Sequence, residues 1–194
     1  MPTPTVLILY SSQYGYTRQY AQWLAQDLKS AIDLKIKLLQ TGQVKSQDIS
    51  SAAMVIVGAA DYGGLLSGAN QLKAFKKELL ERQRIFFTVS FSGLAGASQE
   101  KLDAIVTKNY GKELTSQSPI FHYRGGLDHT RLSLKHKSIM VGIRAGISAL
   151  PKKNIANQQM LDSFEQKTVD YSQRSALADL IHLVQERFSP ADSA

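Results

Sequence analysis

The sequence predicts an α/β domain of three layers, with a five-stranded parallel sheet held between two layers of helices. Two observations carry this prediction. Residues 6–10 (VLILY), 53–58 (AMVIVG) and 85–89 (IFFTV) are almost continuously apolar, as strands buried on both faces of a parallel sheet must be. The segments between them repeat apolar residues at helical spacing, and strands alternating with helices imply βαβ units with right-handed crossovers.

The elements follow in order. Residues 6–10 form the first strand and 17–30 the first helix. Residues 34–39 alternate apolar and charged, which predicts a strand with one exposed face at a sheet edge. Residues 41–51 are polar and turn-like, with room for one short helical turn. The strand at 53–58 opens into a glycine-rich loop, and a helix over 70–82 follows, with Leu72, Phe75, Leu79 and Leu80 inward and lysines opposite. The strand at 85–89 opens into a second small-residue loop over 90–97. Ser98 is placed as the N-cap of a helix reaching about Leu114, with Leu102, Ile105 and Val106 inward. Residues 119–123 are the last strand. A terminal helix over 173–188 carries Leu177, Leu180, Ile181 and Val184 on one face and closes the second helical layer, before a frayed end at 192–194. Without internal repeats or low-complexity linkers, residues 1–194 read as one domain with an insertion at about 124–168 ahead of the terminal helix.

Composition narrows the chemistry. The chain has no cysteine, which excludes disulfides, thiolate metal sites and cysteine nucleophiles. Its apolar runs fall short of the roughly 20 residues of a membrane span. Met1-Pro2-Thr3-Pro4 lacks a basic leader region and 6–10 is too short for a signal core, so the expected location is cytoplasmic. The net charge of +7 is unevenly spread: residues 124–153 hold seven cations against the single acid Asp128, and the remainder is nearly neutral.

Three loops at the carboxyl edge of the sheet have the composition of ligand-contacting loops, and that edge is where open α/β sheets bind ligands. Ser12, Gln13, Tyr14, Gly15, Tyr16 and Thr17 supply hydroxyls and N–H groups where a strand feeds a helix N-terminus, a site that attracts anions. Ala60, Asp61, Tyr62, Gly63 and Gly64 supply an aromatic ring and pliable backbone. Ser90, Phe91, Ser92 and Gly93 supply a second ring and more hydroxyls. Neither the Gly-Lys-Ser/Thr of a P-loop nor a G-x-G-x-x-G fingerprint is present. A hydroxyl-rich loop without metal-binding carboxylates suits a phosphomonoester held permanently. The competing reading of the first loop is an ordinary helix start. The regular spacing of His122, His129 and His136 leaves these residues too far apart to share an ion. Asp162 to Glu165 reads as a solvated helix face, and Ser11, Ser12 and Ser92 have no base arranged for a hydrolase.

Ser12-x-Tyr14-Gly15-x-Thr17 resembles the S/T-x-T-G-x-T loop that holds the FMN phosphate in flavodoxins, with Tyr14 in place of the usual threonine. Residues 58–63 resemble the second flavodoxin loop, and 90–93 stand where the third belongs. The resemblance implies a flavodoxin-like three-layer sandwich, the strand order 2-1-3-4-5 and FMN as cofactor. It implies that Ser12, Thr17 and the N–H groups of 13–17 hold the phosphate, with Arg18 able to add charge. Tyr62 would stack on the flavin, and Phe91 or Leu94 would cover another part. A peptide near Gly63 would reorient toward the flavin N5, at little cost in glycine.

After Tyr123 the chain departs from small flavodoxins. Arg124 to Arg131 reads as a turn. A helix over 132–148 sets Leu132, Ile139, Met140, Ile143 and Ile147 to one side and Lys135, Lys137 and Arg144 away from it. This layout resembles the flavodoxin-type, menaquinone-dependent protoporphyrinogen oxidases. That resemblance implies two-electron flavin chemistry on a tetrapyrrole, with a quinone as acceptor. The alternatives are a non-enzymatic electron carrier that docks a redox partner protein through its basic face, and a module that has lost FMN. Lys135, Lys137 and Arg144 suit peripheral contact with the anionic inner face of a membrane. Nucleic acid is not expected, because no aromatic residues are interleaved for base stacking.

Overall fold

The computed structural model describes residues 3–188. Met1, Pro2 and residues 189–194, which bear on the readings of the leader and of the frayed end, lie outside the described residues, as does the side chain of Lys135.

Five strands run parallel: β1 (Thr5–Ser11), β2 (Lys35–Gln40), β3 (Met54–Tyr62), β5 (Gln83–Ser90) and β6 (Ile120–Arg124). Their order is β2-β1-β3-β5-β6, which is 2-1-3-4-5 among the parallel strands. Val6 lies opposite both Ile36 and Met54, and Thr88 opposite both Ala59 and His122. A two-residue strand, β4 (Leu65–Leu66), folds back antiparallel on the end of β3.

Alternation along the central strands splits the core in two. On one face Val6, Ile8, Ile56, Ile85 and Phe87 pack against Tyr20, Leu24 and Leu28 of α1 (Tyr16–Ala31) and Leu180 and Val184 of the terminal helix α9 (Ala178–Phe188). On the other, Leu7, Leu9, Val55, Val57 and Phe86 meet Ile49 of α2 (Ser46–Ser50), Leu72 of α3 (Ala69–Leu72) and Leu79 of α4 (Lys76–Leu80). Val106 and Tyr110 of α5 (Gln99–Tyr110) and Leu114 of α6 (Lys112–Thr115) complete that layer.

Three helices differ from the expectation. The helix expected over 70–82 is broken into α3 and α4 by a 3-10 turn at Lys73–Phe75, where Phe75 leaves helical geometry. The helix expected to run from Ser98 to Leu114 stops at Gly111, whose φ of 92° and ψ of 147° no α-helix accommodates. Ser98 does stand at the N-cap position, but its hydroxyl makes no capping bond. The terminal helix begins as a 3-10 turn at Arg174–Leu177.

The segment after β6 holds more structure than expected. β7 (Gly126–Asp128) and β8 (Thr168–Asp170) pair as an antiparallel ribbon, closing a loop that contains α7 (Leu134–Ser148) and α8 (Ile155–Gln166). Ser133 and Asn154 cap these helices, accepting from the N–H groups of His136 and Asn157. Asp162 to Glu165 is only in part the solvated face expected: Glu165 is exposed, but Ser163 is fully buried and bonded to His129, and the Phe164 ring lies 4.6 Å from the His129 ring. The Tyr20 hydroxyl fastens the segment to the sheet, donating to the Arg124 carbonyl (2.8 Å) and accepting from the Gln173 N–H (2.9 Å).

A candidate cofactor pocket at the carboxyl edge of the sheet

The first loop is a helix start without a side-chain cap. Gly15 adopts the left-handed conformation (φ 101°) that turns the chain from β1 into α1, and its N–H donates to Ser12 Oγ at 3.1 Å. α1 has no side-chain cap and no acid in its first turn, so its leading N–H groups and positive dipole end face the pocket uncompensated. Thr17 is 1% exposed, yet its Oγ1 has no hydrogen-bond partner among the described residues. A buried orphan hydroxyl costs roughly 1–3 kcal/mol, a cost that an anion in the loop removes. Arg18 is exposed.

The second loop is tied to the first. Ser67 Oγ accepts from the Ala60 N–H and donates to the Ser11 carbonyl, both at 2.9 Å. The Asp61 carboxylate accepts from the Gly64 N–H at 2.7 Å, closing a turn over Gly63 and Gly64. Asn109, which the sequence did not single out, clamps that turn by donating to the Gly64 carbonyl and accepting from the Leu66 N–H. Burial pushes the Asp61 pKa up, against the Gly64 N–H and the nearby His122. The native state therefore holds the Asp61 proton more tightly than the unfolded chain does. Stability falls as pH rises from the ordinary carboxyl value of 3.8 through the raised one. Asp61→Asn keeps the acceptor for Gly64 and removes the buried charge. It should melt above the parent at pH 7 in thermal scans, with the gap closing as pH falls through that window.

Tyr62 is 36% exposed and stacks on the His136 ring (centroids 5.7 Å apart, planes 21°), with Tyr14 edge-on at 6.0 Å. Burial and Tyr14 push its hydroxyl pKa up to about 12, against the Gln13 and Tyr14 N–H groups that its oxygen faces. Tyr14, the departure from threonine, bonds through its hydroxyl to His136 Nδ1. α7 is thereby joined to the first loop.

In the third loop Ser90 Oγ accepts from the Gly93 N–H at 2.9 Å. Phe91 sits edge-on to Tyr171 (5.6 Å), and the Arg124 guanidinium lies 4.0 Å from the centre of the same Tyr171 ring. Leu94 is half exposed.

These loops enclose a cavity of about 640 Å³, within the range of roughly 300–1,000 Å³ usual for small-ligand sites. Ser12, Tyr14, Tyr16, Thr17, Ala60, Asp61, Tyr62, Gly63, Gly64, Ser90, Phe91, Ser92 and Gly93 all lie on its wall. Gln13 and Gly15 do not, and belong to the loop backbone. The sequence reading missed the roof: His136, Ile139, Met140 and Ile143 of α7 and Met160 of α8. Their apolar spacing was legible, but not the surface they cover. The three histidines take separate partners: His122 bonds Thr88 and Asp103, His129 bonds Ser163, and His136 bonds Tyr14.

The sequence pattern of the flavodoxin domain matches residues 7–149. No curated protein matches the chain. Similar solved structures include oxidised flavodoxin 2 from Bacillus cereus, 13% identical over 91% of this chain and 99% of that one, with a TM-score of 0.46. Two-electron reduced Megasphaera elsdenii flavodoxin is 16% identical over 61% of this chain and 84% of that one, TM-score 0.46. A short-chain flavodoxin associated with a non-canonical PDU bacterial microcompartment is 13% identical over 63% and 84%, TM-score 0.48. With the domain pattern spanning most of its length, the chain belongs to the flavodoxin family of flavin-binding redox proteins.

Proposed function

We propose that this chain is an FMN-dependent oxidoreductase that acts on a redox substrate with a largely apolar body admitted beneath α7, with a quinone as electron acceptor. The observation that carries this reading is the roof. α7 lays His136, Ile139, Met140 and Ile143 over the cavity that the three loops line, an arrangement suited to a small molecule more than to a docking protein.

The residues fit the FMN phosphate. Ser12, the orphan hydroxyl of Thr17 and the open start of α1 would hold it. Tyr62, Phe91 and the Gly63–Gly64 turn would border the ring. When bound, FMN supplies two-electron transfer chemistry. The chain's own part is to bind, to exclude water with the aliphatic side chains of α7 and to manage protons. Asp61, a carboxylate on the wall with raised proton affinity, would take the proton that a substrate releases on oxidation.

Protoporphyrinogen IX is the first substrate to test. Its carboxylates would meet Arg131, the cation next in sequence to the wall residue Leu132. The test is FMN titration followed by anaerobic turnover of protoporphyrinogen IX with menadione. Saturable flavin uptake with flavin-dependent turnover supports the proposal. Uptake without turnover, alongside fast electron exchange with a flavodoxin reductase, favours a carrier. Absence of uptake at micromolar FMN rejects the flavin reading for this chain.

A further inference from the structure

We infer that the α7–α8 hairpin is a docking surface for an anionic lipid bilayer. The inference rests on the placement of α7 over the cavity but not on the cavity's being loaded with FMN.

The hairpin exposes apolar side chains on the side away from the sheet. Leu134 is 84% exposed, Val141 67% and Ile155 72%, with Leu150 at 41%. Leu134 and Val141 are seven residues apart on one helix, so they project from the same face two turns apart. Leu150 and Ile155 flank the connection between the helices, whose lysines, Lys152 and Lys153, are exposed beside them. The result is an aliphatic face and an aliphatic tip of the kind a folded domain normally covers.

The charge around this surface has one sign. Residues 129–161 contain Arg131, Lys135, Lys137, Arg144, Lys152 and Lys153 and not one aspartate or glutamate. Arg144 is partly engaged, lying 5.1 Å over the Phe164 ring. Lys137, Lys152 and Lys153 are exposed. Aliphatic side chains interleaved with cations, without acids, match a bilayer surface of negative charge, where the lysines meet headgroups and the aliphatics enter the acyl boundary. An acidic protein would satisfy the lysines but not the aliphatic tip. A second copy of this chain would set these cations against each other.

The docked face and the cavity share α7. Ile139 and Ile143 line the cavity and are still 49% and 36% exposed, so the rim lies on the docking helix. A bilayer seated on Leu134, Val141 and the tip brings lipid-dissolved redox molecules to that rim.

The chain lacks cysteine, so Val141→Cys can carry one environment-sensitive dye, with Lys77→Cys on α4 as the remote control. The full chain is mixed with vesicles of phosphatidylcholine alone or with phosphatidylglycerol added, and sedimented. Binding only to the anionic vesicles, with a blue shift at position 141 and none at 77, is the expected result. Leu134→Asp with Val141→Asp, and separately Lys152→Glu with Lys153→Glu, should each lower the bound fraction by about tenfold or more. Thermal melting of the same variants reports that they remain folded, and FMN titration should be unaffected by the substitutions, since none of these residues lines the cavity. Equal binding to neutral vesicles, an unshifted dye at 141, or a dimer in sedimentation velocity that Leu134→Asp dissolves would each overturn the inference. None of these outcomes bears on flavin uptake, which is read in the same samples.

Discussion

Thr17→Val should weaken FMN binding by about tenfold to a hundredfold while leaving the FMN-free protein as stable as the parent or more so. The two effects have one cause. Thr17 Oγ1 is buried without a partner, and valine has nearly the same shape without the hydroxyl. In the FMN-free protein the substitution removes an unsatisfied group, a gain of about 1 kcal/mol. With FMN present it removes a hydrogen bond to a charged phosphate, worth roughly 1.5–3 kcal/mol, or about one to two decades in affinity. Flavin fluorescence titration and thermal melting of the same two proteins measure both signs. A valine variant that binds FMN normally would mean that the phosphate does not use this hydroxyl.

Gly126→Ala should have the largest effect on the insertion. A Cβ at Gly126 would stand 2.3 Å from the Val169 carbonyl and 2.4 Å from the Tyr16 hydroxyl. The first is backbone of the paired strand β8 and cannot rotate away, and the second belongs to the first residue of α1. The ribbon must open or the phenol must leave, at a cost of about 1–3 kcal/mol. Because Tyr16 lines the cavity, the same substitution should also reduce FMN affinity. Urea unfolding at constant m-value and FMN titration would record the two losses together. Gly142→Ala is the control: a Cβ there meets nothing within 4 Å.

The parallel sheet was legible because buried strands have a one-dimensional signature. The continuous apolar runs ending in Tyr10, Gly58 and Val89 became β1, β3 and β5, and the alternating run at 34–39 became the edge strand β2. The three loops were legible for a related reason, since glycine, serine and threonine after a buried strand mark the carboxyl edge. What failed was local. The 3-10 turn at Lys73–Phe75 falls inside a perfect apolar period, and β7 and β8 are three residues each, too short for any period to register. Serine in the Asp162 to Glu165 stretch is polar by type, so nothing in the residues announced that Ser163 would be buried against His129.

The sequence by itself determined the doubly wound sheet and the open helix start at Ser12 to Thr17. Both depend on neighbours along the chain: burial of consecutive residues, and backbone N–H groups left unpaired where a helix begins. Only the tertiary structure decided what covers that site. His136 meets Tyr14 and Tyr62 across more than seventy residues of chain, and Ile139, Met140 and Ile143 face a cavity whose other walls include the loops that follow β1, β3 and β5. An apolar stripe on α7 states that the helix has an inside. It does not state which surface receives it, because that depends on where the β7–β8 ribbon returns the chain.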